Sequence, residues 1–216
     1  MATLTGQQIA EAGLTGWAYL VGGLQTRVRT PHFRAGLALV DAIGAAAEEM
    51  DHHPDLDLRY QHLDIRLTSH DVGAVTGRDL RLAHTITGLA ADAGLALEAA
   101  SVSRLELALD APELGSVLPF WRAVLAMTGP AEGAEDELRD PDEALPVVWF
   151  QHSGREEPRQ RWHPDVWVDP TQVQPRIDAA VAAGGRLVSD EAAPSFWVLA
   201  DADDNRVCLC TWQGRG

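Results

Sequence analysis

Apolar positions along the first hundred residues change period several times, and each change marks an element. Residues 5–14, TGQQIAEAGL, open with Thr5 as a helix N-cap candidate and predict a short helix. Residues 17–30, WAYLVGGLQTRVRT, predict two short strands around Gly22 and Gly23. In PHFRAGLALVDAIGAAAEEM, residues 31–50, Phe33, Leu37, Val40 and Ile43 fall near helical spacing behind Pro31, which occupies a permitted first-turn position. That spacing predicts a long helix packed on a sheet. From residue 57 to 68 the apolar positions Leu58, Tyr60, Leu63, Ile65 and Leu67 mostly alternate, as one strand requires. TGRDLRLAHTITGLAADAGL, residues 76–95, places Leu80, Ala83, Ile86, Leu89 and Ala90 on one helical face, with Gly94 as its end. The first unit is therefore expected to run α-β-β-α-β-α.

A second unit begins near Val102. VSRLELALD predicts a strand, PELGSVLPFWRAVLAM a helix and LPVVWFQ another strand, while the acidic GPAEGAEDELRDPDEA between the last two has loop character with room for one short strand. The order then repeats: RWHPDVWVD as strand, TQVQPRIDAAVAAGG as helix, and RLVSD, SFWVLAD and RVCLCTWQ as strands. Two successive blocks of this kind imply a weak duplication at the level of elements. The whole predicts a mixed α/β (α+β) chain of two domains, residues 1–98 and 102–216.

Composition narrows the function classes. The 216 residues suffice for two domains with separate cores, and 46% hydrophobic with 23% charged residues suits a soluble globular chain. No apolar run approaches a membrane span, and the start MATLTGQQIAEAGL lacks the basic end and apolar block of an export signal, so a cytoplasmic location is expected. The net charge of -15 includes no lysine, and such a surface repels phosphate backbones, so no nucleic-acid partner is expected. The two cysteines, Cys208 and Cys210, alternate along one strand, share a face and lack the geometry for a mutual disulfide.

Six of the eight histidines, at positions 32, 52, 53, 62, 70 and 84, lie in the first unit. With the carboxylates Glu48, Asp51 and Asp79, His52, His53 and His70 fall at element ends, where loops converge. Glu48 and His52, four apart, share a helix face if the helix persists that far. Imidazoles supported by carboxylates suit a reaction needing an acid on one side and a base on the other, such as a dehydration. A metal site is the competitor, but adjacent histidines diverge and no His-x-x-x-His or Cys-x-x-Cys pair seeds one.

The GW at Gly16 and Trp17, together with AEEMDHHPDLDLRYQHLDIRLTSHDVGAVTGRDLRLA at residues 47–83, resembles the pterin-4a-carbinolamine dehydratase family over about the first 95 residues. The similarity combines HHP, T-x-H-[DE] and T-x-x-D-x-x-L-A. It implies removal of water from a 4a-hydroxytetrahydropterin to give the quinonoid dihydropterin, with no cofactor, a pterin as small-molecule partner and a homo-oligomer. By position, His52, His53 and His70 match the family's active-site histidines; Glu48, Asp51 and Asp79 match acidic residues lining or supporting the pocket. One imidazole would protonate the departing hydroxyl and another take a proton from the ring, with the assignment open and His53 a candidate for holding substrate. Ala74 and Val75 depart from the family's usual loop near His70. His62 and His84 lie outside the motif.

Residues 103–213 resemble the glyoxalase-like, bleomycin-resistance-like members of the vicinal-oxygen-chelate superfamily, through LALDAPELGSVLPFWRAVL, RWHPDVWVD and VLADADDNRVCLC. The similarity implies paired βαβββ modules curled around a ligand cavity. Metal-binding members use His, Gln or Glu on facing strands. Here His163 holds one such place, but Ser103 and Cys208 stand at the approximate others, so a metal-free pocket for an unknown ligand or a dimerisation platform is expected. Trp121, Trp149, Phe150, Trp162, Trp167 and Trp197 are available to line it. Alternatively, the dehydratase-like unit has lost turnover and the chain senses a small molecule, or the second unit is a metal-dependent lyase or dioxygenase.

Overall fold

In the computed structural model, which describes residues 2–129, 136–141, 145–153, 162–200 and 206–215, the chain divides into two units. One comprises residues 1–103 with 168–172 and 211–216, the other residues 104–167 with 173–210. The first unit carries α1 (Gly6–Glu11), β1 (Ala18–Leu20), β2 (Gly23–Arg29), α2 (Phe33–Met50), β3 (Asp55–Arg59), β4 (His62–Leu67) and α3 (Gly77–Asp92). Its four strands form an antiparallel sheet in the order β1-β2-β4-β3.

The structure adds a strand to the α-β-β-α-β-α order. The run expected as a single strand is a hairpin, β3 and β4, turning through Tyr60 and Gln61. Leu58 and Leu63 face each other across that turn, so the apolar set stays on one side and the alternation hides the break. Leu24 and Val28 of β2 with Leu63, Ile65 and Leu67 of β4 form the buried core face, covered by α2 and α3. The opposite face is charged: Arg27 donates two hydrogen bonds of 2.6 Å to Asp64, and Asp57, opposite Asp64 on β3, accepts from Arg59 at 2.8 Å.

Helix α2 buries Gly36, Leu39, Ile43 and Ala47; of the expected stripe Ile43 is buried and Val40 packs on the core, whereas Phe33 and Leu37 are 43% and 48% exposed. The glycine decides the face. A Cβ on Gly36 would lie 2.5 Å from Leu58 Cδ1, so only the side without a side chain there can press onto the sheet. Pro31 lies before the helix, whose N-cap is His32: its Nδ1 accepts from the Ala35 N–H at 3.1 Å. Trp17 is buried, with Nε1 donating to Thr87 Oγ1 at 3.0 Å, and Gly16 before it has φ +84° with Leu97 pressed against it. Helix α3 ends as expected, at Ala93 followed by Gly94 at φ +68°.

The second unit contains β5 (Ser103–Ala111), α4 (Leu114–Leu125), β6 (Glu137–Leu138), β7 (Val147–His152), β8 (Trp162–Val168), α5 (Val173–Ala182), β9 (Arg186–Ser189), β10 (Phe196–Ala200) and β11 (Arg206–Cys210). They build a seven-stranded sheet in the order β6-β7-β5-β8-β11-β10-β9. The second block is a full βαβββ module. The first shows β5-α4-β6-β7 with an isolated Thr128–Arg139 bridge. The short strand expected in the acidic stretch is β6; residues 130–135 and 142–144 of that stretch, Arg161 and residues 201–205 lie outside the described residues.

Alternation sorts the aromatic residues. Phe150 is buried with Leu109, Met127, Leu138 and Val148, and Trp121 of α4 meets Trp162 of β8 edge-on at 5.0 Å on that same side. These three are core. Trp149 and Trp167, odd-numbered neighbours of buried Val148, Phe150 and Val168, belong to the sheet's other face. Cys210 is buried and Cys208 half-buried. Among the described residues no helix is long and apolar enough to cross a membrane.

That other face also carries Glu106, whose carboxyl is pushed above its ordinary range by burial first, with Asp165 and Glu137 adding repulsion against the Trp167 indole donor. A carboxyl raised in the folded state adds no penalty below the ordinary value of 4.5 and costs stability as pH rises through the shifted value. Thermal melts of Glu106→Gln are therefore expected to coincide with wild type at pH 4.5 and below and to lie higher at pH 8.

Candidate active site

The backbone at the end of α2 sends two adjacent histidines opposite ways. Asp51 caps the helix in the left-handed region, φ 46° and ψ 45°, so the chain leaves the helix axis before His52. His52 turns inward, only 6% exposed, with Nε2 2.8 Å from Asp79 Oδ1. His53 stays exposed, with Nε2 3.1 Å from Glu48 Oε1. The Glu48–His52 juxtaposition expected from helical spacing is not made, because α2 stops at Met50 and the cap swings His53 back over Glu48 instead.

Asp79 is wholly buried at the third position of α3. Its Oδ2 accepts from the Thr76 N–H at 2.7 Å, from Ser69 Oγ at 2.7 Å and from Thr76 Oγ1 at 3.2 Å. Thr76 closes the capping box by accepting from the Asp79 N–H, and its Oγ1 also accepts from the Arg78 N–H at 3.1 Å. One oxygen of Asp79 therefore organises the helix start while the other orients His52. Because the carboxylate accepts, Nε2 carries the proton shared in that pair, and Nδ1 is the ring nitrogen left to exchange one.

His70 follows Ser69 in a tight turn. The Ser69 N–H donates to Ala74 O at 3.0 Å, and Ser69 O accepts from the N–H groups of Val72 at 3.0 Å and Gly73 at 2.9 Å. Arg78 clamps the turn through Asp71, whose carboxyl its guanidinium holds below the usual range. His70 is exposed, one residue beyond the end of the Ser69–Asp79–His52 chain, and among the described residues it makes no hydrogen bond or ion pair.

The six predicted residues thus fall into a buried pair, His52 with Asp79, an exposed pair, His53 with Glu48, an exposed cap, Asp51, and His70 on its turn. Asp79 has no exposed surface, so it lines no hollow. Ser69 and Thr76 were missed. The T-x-x-D spacing at 76–79 signalled Thr76, whereas the role of Ser69 needs the folded turn. A separate hollow of about 490 Å³ on the charged sheet face is lined by Arg27, Asp57, Arg59, Tyr60, His62 and Asp64 and includes none of the six.

Residues 2–89 match the family model described as pterin 4 alpha carbinolamine dehydratase, and residues 106–210 that described as glyoxalase-like domain. A Mycobacterium tuberculosis protein named "Putative pterin-4-alpha-carbinolamine dehydratase" is 37% identical over 91 residues, covering 41% of this chain and 97% of that protein. A Nocardia farcinica protein of the same name is 39% identical over 89 residues, covering 40% of this chain and 94% of that protein. Among solved structures, a transcriptional coactivator/pterin dehydratase from Brucella melitensis is 25% identical with a TM-score of 0.40, covering 41% of this chain and 99% of that one.

Removing the Asp79 carboxylate strands buried donors on Ser69, Thr76 and His52, at about 1–3 kcal/mol for each group left unsatisfied. Asp79→Ala is expected to destabilise the first unit by more than about 2 kcal/mol in urea unfolding, and Glu48→Ala, on the exposed pair, by less than about 1 kcal/mol.

Proposed function

Since the chain belongs to the pterin-4a-carbinolamine dehydratase family through residues 2–89, with a glyoxalase-like domain over residues 106–210, we propose that its first unit dehydrates a 4a-hydroxytetrahydropterin by histidine acid and base catalysis. The observation that carries this reading is the buried His52–Asp79 pair, which fixes one imidazole with a single nitrogen committed and the other free to move a proton. Support also comes from Ser69, which joins the His70 turn to the same carboxylate.

In the reaction the bond from the ring carbon to the hydroxyl oxygen breaks, and the oxygen leaves with the electron pair, taking a proton from one imidazolium. A ring N–H proton passes to a second, neutral imidazole, and water and the quinonoid dihydropterin result. His52, acting through Nδ1, and His70 are the two proton carriers in this scheme; His53, backed by Glu48, holds the pterin. Asp79 acts through His52 as a positioning residue, and Asp51 shapes the turn. In this reading the dehydratase unit spans residues 1–98 and the glyoxalase-like unit residues 102–216, and the dehydratase unit assembles as a homo-oligomer.

Stopped-flow absorbance on freshly generated 4a-hydroxytetrahydropterin tests the scheme. Positioned acid and base groups contribute about 100-fold to 10,000-fold, so His52→Ala should lower kcat by that order, while His53→Ala should act chiefly on KM. A wild-type rate no faster than buffer, or full activity in the His52→Ala, His70→Ala double variant, refutes the scheme. Pterin binding by calorimetry without turnover would instead mark a binding module.

A further inference from the structure

In the second unit, alternation along β8 puts Trp162 on the helix-covered side and His163, Asp165 and Trp167 on the opposite face of the sheet. Parallel pairing aligns Cys208 of β11 with Asp165. One ligand atom each from His163, Asp165 and Cys208 lies within 4.8 Å of the others, and His163 Nε2 is 3.5 Å from Asp165 Oδ1. Ligand atoms about 2.0–2.3 Å from a tetrahedral zinc ion stand roughly 3.3–3.8 Å apart. The histidine and carboxylate already have that separation, and no pair among the three ligand atoms is more than 4.8 Å apart.

From this juxtaposition we propose that His163, Asp165 and Cys208 form a site for a thiophilic divalent cation of the zinc class, with a fourth position left for water or an oxygen ligand. A thiolate, a carboxylate and a neutral imidazole neutralise the ion's charge, and the sulfur selects zinc over magnesium or calcium. The donor set differs from the one implied by resemblance: Asp165, two residues along the strand from His163, supplies the oxygen that Ser103 cannot.

The surroundings are built for such an ion. Trp149 Nε1 donates to Asp165 Oδ2 at 3.2 Å, fixing the carboxylate with its other oxygen toward His163, and the Trp149 ring stands edge-on to the imidazole at 5.9 Å. Asp165 is buried, and Glu106 on the adjacent strand β5 interacts with both it and Glu137 as a like charge, so a cation there relieves a repulsion the fold otherwise carries. Asp110, on the same face of β5 as Glu106, holds a further buried carboxylate oxygen without a hydrogen-bond partner.

Cobalt titration of the full-length, chelator-treated protein tests this without reference to pterin turnover. The expected result is one cobalt per chain with an intense thiolate-to-cobalt charge-transfer absorption, displaced by zinc. Cys208→Ser should lose that absorption, His163→Ala should weaken binding more than tenfold, and Trp149→Phe should weaken it by roughly tenfold through the carboxylate it orients. Cys210→Ala and His52→Ala should leave the absorption intact. Because a strand substitution can impair folding, alkylation of Cys208 in the wild-type chain, followed by mass spectrometry, gives a second reading: zinc should slow it and chelator restore it. No charge-transfer absorption in wild type, its survival in Cys208→Ser, or alkylation indifferent to zinc would overturn the site.

Discussion

The first unit depends on one buried carboxylate. A charge at a position without solvent access is tolerated only if its oxygens are met by donors, and Asp79 is met by four: a backbone N–H, two hydroxyls and an imidazole. Each donor comes from a place that must therefore hold still, namely the start of α3, the turn before it and the segment after α2. Helix capping, turn closure and histidine orientation are consequently one constraint, and a substitution that loosens one loosens the others. The same carboxylate that starts a helix thus presents His52 in one orientation and one tautomer.

The two units use their sheets in related ways. In the first, helices α2 and α3 cover the face bearing Leu24, Val28, Leu63, Ile65 and Leu67, and the other face is a ladder of arginine and aspartate pairs. In the second, the face bearing Leu109, Leu138, Val148 and Phe150 packs with residues of α4, and the other carries Glu106, Trp149, His163, Asp165 and Cys208. Period-two alternation makes both possible, since every second residue is free to be polar once its neighbours supply the core. What differs is burial: the arginine–aspartate ladder is partly solvated, whereas Asp165 is buried, so the second face gathers carboxylates away from water where the first keeps them partly exposed.

Misreadings along the first unit have specific causes. The hairpin at Tyr60 and Gln61 was invisible because Leu58 and Leu63 keep the apolar residues on one face through the turn, and no glycine or proline marks it. The first turn of α2 buries Gly36 rather than Phe33 or Leu37 because Gly36, which contributes nothing to a hydrophobicity pattern, permits the close approach to Leu58. Glu48 and His52 share a face only if the helix continues past Met50; the left-handed Asp51 ends it there and brings His53 to Glu48 instead.

By itself the sequence determined the two-unit organisation, most of the strand and helix periods, and the short list of imidazoles and carboxylates, because these follow from local spacing and side-chain chemistry. Only the tertiary structure decided which of two adjacent histidines is buried, that Ser69 shares the carboxylate with His52, and that Cys208 comes beside His163 and Asp165. Those outcomes depend on backbone torsions at single residues and on register between strands distant in the chain, and neither leaves a periodic trace in the residues themselves.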